Sequence, residues 1–215
     1  MTQSLAQQAR AQIIEMIFSG SLKPGEALHE AQMSERLAMS RTPVREALKR
    51  MEYEGLLARE GRFQRVRLPE ADEIAEIFLL RTAIETETAR AAVHLPLAVF
   101  DDIERRIRTF MTVPPGEGED EWSIDDAFHR MMARATNNPI LLRTLDNLRL
   151  RTYVFDRSRV PERFLEGCRE HLRILGALRD ADAEAAARGT AQHLANARDA
   201  ILACLERYPS TETQR

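Results

Sequence analysis

Apolar residues recur at three- and four-residue steps along most of the chain, and this rhythm predicts a mainly α protein. Ile13, Ile14, Ile17 and Phe18 form the stripe of a helix over Leu5 to Phe18, which Ser19-Gly20-Ser21 and the turn Lys23-Pro24-Gly25-Glu26 bring to a stop. A short helix from Glu30 to Ala38 turns Met33 and Leu37 inward, and Met39-Ser40 make a turn. The next helix runs to about Glu54, with Val44, Ala47, Leu48 and Met51 on one side. Ser40 or Thr42 can cap it, and Pro43 suits a first turn. The helical rhythm then lapses. Leu56 to Arg59 and Phe63 to Leu68, around Glu60-Gly61-Arg62, read as two short strands: a β-wing carrying Arg62, Arg65 and Arg67 and closed by Pro69.

Beyond Glu70 the pattern is helical throughout. Helices are expected from there to about His94, over Leu97–Met111, Trp122–Ala135, Ile140–Asp156, Arg163–Arg179 and Ala183–Arg207. Val113 to Gly118 is the clearest loop, Asn137-Asn138-Pro139 and Ser158 to Pro161 are breaks, and the tail from Ser210 reads as loose. The expected fold is thus an N-terminal winged helix-turn-helix over residues 1–68 and an all-α bundle of about six helices over 69–215.

Composition narrows the function. At 215 residues the chain is long enough for two domains, and no apolar run approaches the ~20 residues of a membrane span. The N-terminus lacks a signal-peptide layout, and two cysteines, Cys168 and Cys204, fit a reducing cytoplasm. The net charge of −3 hides an asymmetry: residues 1–68 hold 11 Lys and Arg against 8 Asp and Glu, so +3 there faces −6 in the remainder. An anionic partner is therefore expected for the first part only.

The chemistry of each part follows. Arg41, Arg45 and Lys49 fall at successive i, i+4 steps, the first two near a helix N-terminus that attracts phosphate. A helix pair with a tight turn and a basic second helix is the layout that enters a major groove. An arginine there can reach guanine bidentately while other basic residues grip phosphate, the sequence leaving open which does which, and for Arg36 and Lys49 simple solvation is the equal alternative. A module this small reads few base pairs, so two copies on a palindromic operator, a homodimer, are expected. In the second part Asp125 and His129 share a helix face at i, i+4, while His171 and His193 lie within two further helices. Three imidazoles and a carboxylate suit Zn²⁺, Ni²⁺ or a similar ion with room for a ligand oxygen; for any one histidine, plain packing is the bland alternative.

Pro24-Gly25-Glu26-Ala27-Leu28-His29-Glu30, Arg36-Leu37 and Ser40-Arg41-Thr42-Pro43-Val44-Arg45-Glu46-Ala47-Leu48, continued by Lys49 to Leu57, resemble the winged-helix signature of the GntR family of bacterial transcription regulators. The resemblance implies that Arg41, Thr42 and Arg45 contact DNA, with Ser40 beside them and Arg62 on a wing at the minor groove. A glycine common before Val66 is missing from this wing. Asp125-Asp126-Ala127-Phe128-His129, Ala135-Thr136-Asn137-Asn138-Pro139, Glu170-His171 and Gln192-His193-Leu194 are similar to the FCD ligand-binding domain of the FadR-type branch, in its shorter, VanR-like version. That resemblance implies a metal on Asp125, His129, His171 and His193; Asp126 is the alternative carboxylate. Arg81, in Leu80-Arg81-Thr82-Ala83-Ile84-Glu85, matches a position typical of the first helix of that domain, as a second anchor for a small carboxylate effector or as an ion-pair partner of Glu85.

The expectation is a cytoplasmic DNA-binding regulator, a repressor by resemblance, whose operator binding responds to a small organic acid at the metal. A direct metal sensor is the first alternative. A metal-dependent hydrolase is the second, disfavoured because no spare general base stands at a recognisable spacing and a basic winged helix would go unexplained.

Overall fold

The computed structural model describes residues 3–67, 69–112, 121–159 and 161–207. The Val113–Gly118 loop and the tail from Ser210 lie outside the described residues. The chain divides into two compact units, Met1–Pro69 with Tyr153–Ser158, and Glu70–Thr152 with Arg159–Arg215.

In the first unit α1 (Leu5–Phe18), α2 (Glu30–Arg36) and α3 (Arg41–Tyr53) join a three-stranded sheet of β1 (Ala27–Leu28), β2 (Leu57–Glu60) and β3 (Phe63–Val66). Ser4 opens α1 with a capping box, its hydroxyl accepting from Gln7 N–H while the Gln7 side chain accepts from Ser4 N–H. Ile13 of α1 and Val44, Ala47, Leu48 and Met51 of α3 are at most 1% exposed, so α1 and α3 pack through the stripes their periodicity predicts. Ala38 adopts φ 52°, and the Met39 and Ala38 N–H groups donate to the carbonyls of Ser34 and Glu35, closing the turn between α2 and α3. β2 and β3 form the expected hairpin, with Gly61 at φ 60° and Arg62 in its turn.

Two expectations need correcting. The sheet has a third strand: Ala27–Leu28 pairs antiparallel with β3, giving the order β1-β3-β2. Two residues are too few for alternation to register. Ser40 is the N-cap of α3, but its side chain makes no capping bond.

Six further helices follow among the described residues: α4 (Ala71–Ala92), α5 (Leu97–Thr112), α6 (Glu121–Ala135), α7 (Pro139–Arg159), α8 (Pro161–Arg179) and α9 (Ala183–Arg207), all in the second unit except residues 153–158 of α7. The α7 helix runs further than the expected break at Ser158. The α4 helix lies along α9, α8 packs on α9, and α5 on α6 and α8. Ala89, Phe100, Ile107, Phe128, Met132, Ile174 and Leu175 form the core. Asp182 caps α9 by accepting from Ala185 N–H at 2.8 Å. No described helix is long and apolar enough to cross a membrane.

Candidate functional site

Burial of the Val44-Ala47-Leu48-Met51 stripe leaves the other side of α3 outward, and Arg41, Thr42, Arg45 and Lys49 are all exposed there, with Ser40 at its start. Among the described residues, no ion-pair partner meets Arg41, Arg45, Lys49 or Arg62, so four exposed cations are left without an acid of their own unit. Other basic residues of this unit are committed. Arg50 and Arg10 pair with Glu54 at 2.9 and 2.7 Å, and Arg65 bonds Glu60 and the Gly25 carbonyl. Arg36, a candidate from the sequence, donates to the Ser21 carbonyl at 3.2 Å and so ties a loop as well.

The second unit gathers Asp125, His129, His171 and His193. One turn of α6 separates Asp125 from His129, so both reach the same side; α8 supplies His171 and α9 supplies His193. One ligand atom from each lies within 4.8 Å of all the others. His171 Nε2 and His193 Nε2 are 3.2 Å apart, and Asp125 Oδ1 is 3.6 Å from His129 Nε2 and 3.7 Å from His171 Nε2. Donors bound at ~2.0–2.1 Å around one tetrahedral ion stand about 3.3 Å apart, so these spacings suit a shared cation. The stronger sign is an orphan: His129 Nε2 is buried and makes no hydrogen bond. A buried imidazole nitrogen that faces a carboxylate without a hydrogen bond is costly unless a cation or water satisfies both. The residues present therefore fit a divalent ion.

Further polar residues surround this set. His129 Nδ1 meets Glu85 Oε2, and Glu85 Oε1 accepts from Arg81 Nε at 2.8 Å. Arg81 in turn donates to Thr152 Oγ1 at 3.2 Å. His193 Nδ1 meets Glu170 at 2.7 Å, and Glu170 also accepts from Asn196 and Arg163. Arg149, 1% exposed, spans Asp125 Oδ2 and Asp126 Oδ1 at 2.6 Å each and stacks over Trp122. Phe128 lies flat on His171 at 3.9 Å between centroids.

Charge follows these contacts. Burial pushes the Asp125 and Glu85 carboxyls up, but His129 with Arg149 at the first, and His129 with Arg81 at the second, hold both well below the usual carboxylate range. Glu170 is pulled down to about 2: burial opposes, and bonds from His193, Arg163 and Asn196 prevail. Burial, then the neighbouring His193, pushes His171 well down; burial also lowers His193. His129 is the exception, raised because Glu85 and Asp125 outweigh its burial. The lowered values at His171 and His193 favour the neutral imidazoles that metal ligation requires, while the raised value at His129 means that a cation must compete with a proton there.

The structure brings together the four residues expected to hold metal. It places Arg81 in the ion pair with Glu85, the second of the two roles open to it. Asp126, the alternative carboxylate, faces Arg149 and Arg130 instead. Sequence reasoning missed Arg149 and Glu170. Arg149 left one signal: with Leu145 and Thr152 it falls on the buried stripe of α7, where an arginine needs an acid partner. Glu170 left only its adjacency to His171.

Comparison with known proteins comes to bear on both units. A family model described as bacterial regulatory proteins, gntR family, matches residues 5–63, and one described as the FCD domain matches residues 76–196. The HTH-type transcriptional repressor RspR of Escherichia coli (strain K12) is 29% identical over 201 residues, which span 90% of this chain and 87% of that protein. A probable D-xylose utilization operon transcriptional repressor of Paenarthrobacter nicotinovorans is 27% identical over 197 residues, spanning 89% and 86%. Among solved structures, E. coli McbR/YncC is similar with a TM-score of 0.79 at 23% identity, over 96% of this chain and 100% of that one, a likeness of fold.

Proposed function

The chain belongs to the gntR family of bacterial regulatory proteins and carries an FCD domain, a DNA-binding transcriptional regulator by that membership, and from this premise we propose a repressor whose operator binding is set by a small organic acid at a metal site. Two copies of the chain place two α3 helices on a palindromic operator. Arg41, Thr42 and Arg45 reach base edges or phosphates there, Lys49 and Arg62 add phosphate contacts, and Ser40 and Arg36 flank them.

In the second unit Asp125, His129, His171 and His193 would hold a divalent ion, Zn²⁺ or Ni²⁺ by donor type. When bound, the ion supplies a positive position for an effector carboxylate. The residues around it do the rest: Glu85 and Glu170 orient imidazoles, Arg149 holds the ligand carboxylate, and Phe128 fixes the His171 ring. Arg81, engaged by Glu85 and Thr152, serves this frame. An effector shifts DNA binding only by its differential affinity for DNA-competent and incompetent states, typically about 1–3 kcal/mol. The observation that carries the reading is the convergence of four ligand atoms, three of them on buried histidines, with an unpartnered His129 Nε2 among them.

The test is metal analysis and operator binding on one preparation, with a screen of small carboxylic acids. Wild type should hold about one divalent ion per chain and change operator affinity with a carboxylate. His171→Ala should lose both the ion and the response while retaining DNA binding. Affinity that follows metal concentration but no carboxylate would make the protein a direct metal sensor.

A further inference from the structure

The three imidazoles converge alike but are braced unequally from behind. His171 Nδ1 is buried without a hydrogen-bond partner among the described residues, and the back of that ring lies flat on Phe128. His193 is backed by Glu170, whose side chain also takes Asn196 and Arg163. His129 is backed by Glu85, and here the arrangement is tighter. Both Glu85 and His129 side chains are fully buried. Each Glu85 oxygen has one assigned neighbour: Oε1 takes Arg81 Nε and Oε2 meets His129 Nδ1. Arg81 is itself anchored on Thr152 of α7.

We propose that Glu85 is a positioning residue for the metal centre: it keeps the His129 hydrogen on Nδ1 so that a bare Nε2 faces the ion, and so joins α4 to a site whose ligands all come from other helices. This rests on the metal reading above. The argument is one of donors and acceptors. Arginine only donates and an ionised carboxylate only accepts, so the Arg81–Glu85 pair has a single polarity. The hydrogen between Glu85 and His129 therefore sits on Nδ1. Nε2 then points at Asp125 Oδ1, 3.6 Å away, and is the buried nitrogen left without a hydrogen bond. The brace aims the one atom that the centre needs from this ring. Position alone could not do so, because a histidine in the opposite tautomer would occupy the same volume.

Glu85→Gln separates this from a packing role. A carboxamide has nearly the same shape but offers one acceptor and one donor to two incoming donors. Arg81 cannot reverse its polarity, so the amide oxygen goes to Arg81 and the NH₂ faces His129 Nδ1. The ring hydrogen must then move to Nε2. In the full-length Glu85→Gln chain Zn²⁺ affinity should fall about 10–100-fold. ¹⁵N NMR of the metal-free chain at alkaline pH, where the His129 ring is neutral, should show it changing from the Nδ1–H to the Nε2–H form. Glu85→Asp keeps an acceptor-only group with shorter reach; it should preserve the Nδ1–H form and bind Zn²⁺ more tightly than Glu85→Gln, and it answers the question if Glu85→Gln does not fold. Zn²⁺ affinity of Glu85→Gln within twofold of wild type, or an unchanged His129 tautomer, overturns this role while leaving the metal reading intact. A wild-type chain that takes no Zn²⁺ overturns both.

Discussion

Arg149 holds Asp125 by one oxygen and leaves the other for the imidazoles: Oδ2 accepts from the guanidinium at 2.6 Å, while Oδ1 stands 3.6 Å from His129 Nε2. The candidate ligand carboxylate is therefore shared between a buried cation on α7 and the metal position. Asp126 takes the other arm of the same guanidinium. A cluster this dense in charge is stable only while each member keeps its partner.

Arg149→Met should accordingly lower stability. Removing one partner from a buried ion pair costs ~3–5 kcal/mol. The side chains of Asp125 and Asp126 are 25% and 22% exposed, which lets water take up part of the loss and puts the expected cost near the lower end of that range. Thermal melting of the full chain should fall by roughly 6–12 °C. Zn²⁺ should restore part of the loss, because it returns a cation to Asp125. An unchanged melting temperature would show that the fork contributes nothing net.

Metal affinity should fall on acidification, and His129 should set where. Burial keeps His171 and His193 below the ordinary imidazole value, so they remain neutral ligands down to mild acid. For His129, burial is outweighed by Glu85 and Asp125, so its proton persists above the usual value of about 6.5. Protonation competes with the ion, so as pH drops through the raised His129 value Zn²⁺ affinity should weaken by about tenfold per pH unit for one competing proton. As pH rises through it, affinity should level off. Isothermal titration with Zn²⁺ from pH 6 to 9 reads this directly, and a flat profile would remove His129 from the ligand set.

How far the sequence foretold this molecule depended on the length of each signal. The α9 helix spans Ala183–Arg207, as its alanine-rich periodic run over those residues predicts, because twenty-five residues average out local exceptions. Ala27–Leu28 becomes a strand only through its partner β3, which no local pattern reveals. The metal candidates were legible because imidazoles are scarce, five in the chain, and three fall within predicted helices. Their outer partners were not, since Glu85, Arg149 and Glu170 look like ordinary charges among the 30% of charged residues. What makes them special is burial beside a metal candidate from another helix, His129 for Glu85, Asp125 for Arg149 and His193 for Glu170, a long-range fact.

Ala38→Gly should stabilise the first unit. Ala38 sits at φ 52° where the chain leaves α2, and a residue with a Cβ in that region costs roughly 1–2 kcal/mol. Glycine removes that cost but gains freedom in the unfolded chain worth about 0.4–1 kcal/mol. The net gain should be about 0.5–1 kcal/mol, read as slower hydrogen exchange in α1 and α3 with operator affinity retained. Faster exchange would mean that the α2–α3 turn does not need the left-handed conformation.

Arg45→Ala should weaken DNA binding while leaving metal content untouched. Arg45 lies on the exposed side of α3, one turn beyond Arg41, and no acid of the described residues competes for it. If its fork reads a guanine, the loss should be about 1–3 kcal/mol, roughly five- to 150-fold, and concentrated on one base position. If it grips a phosphate, the loss should be similar for all sequences and the slope of log affinity against log salt should shrink by about one. Duplexes selected from a random pool, titrated at several salt concentrations against wild type and variant, distinguish the two. Arg50→Ala is the matched control, since Arg50 shares the helix but pairs with Glu54 at 2.9 Å. Equal losses for Arg45→Ala and Arg50→Ala would mean that binding follows the total charge of the unit, and no loss for Arg45→Ala would take DNA off this side of α3.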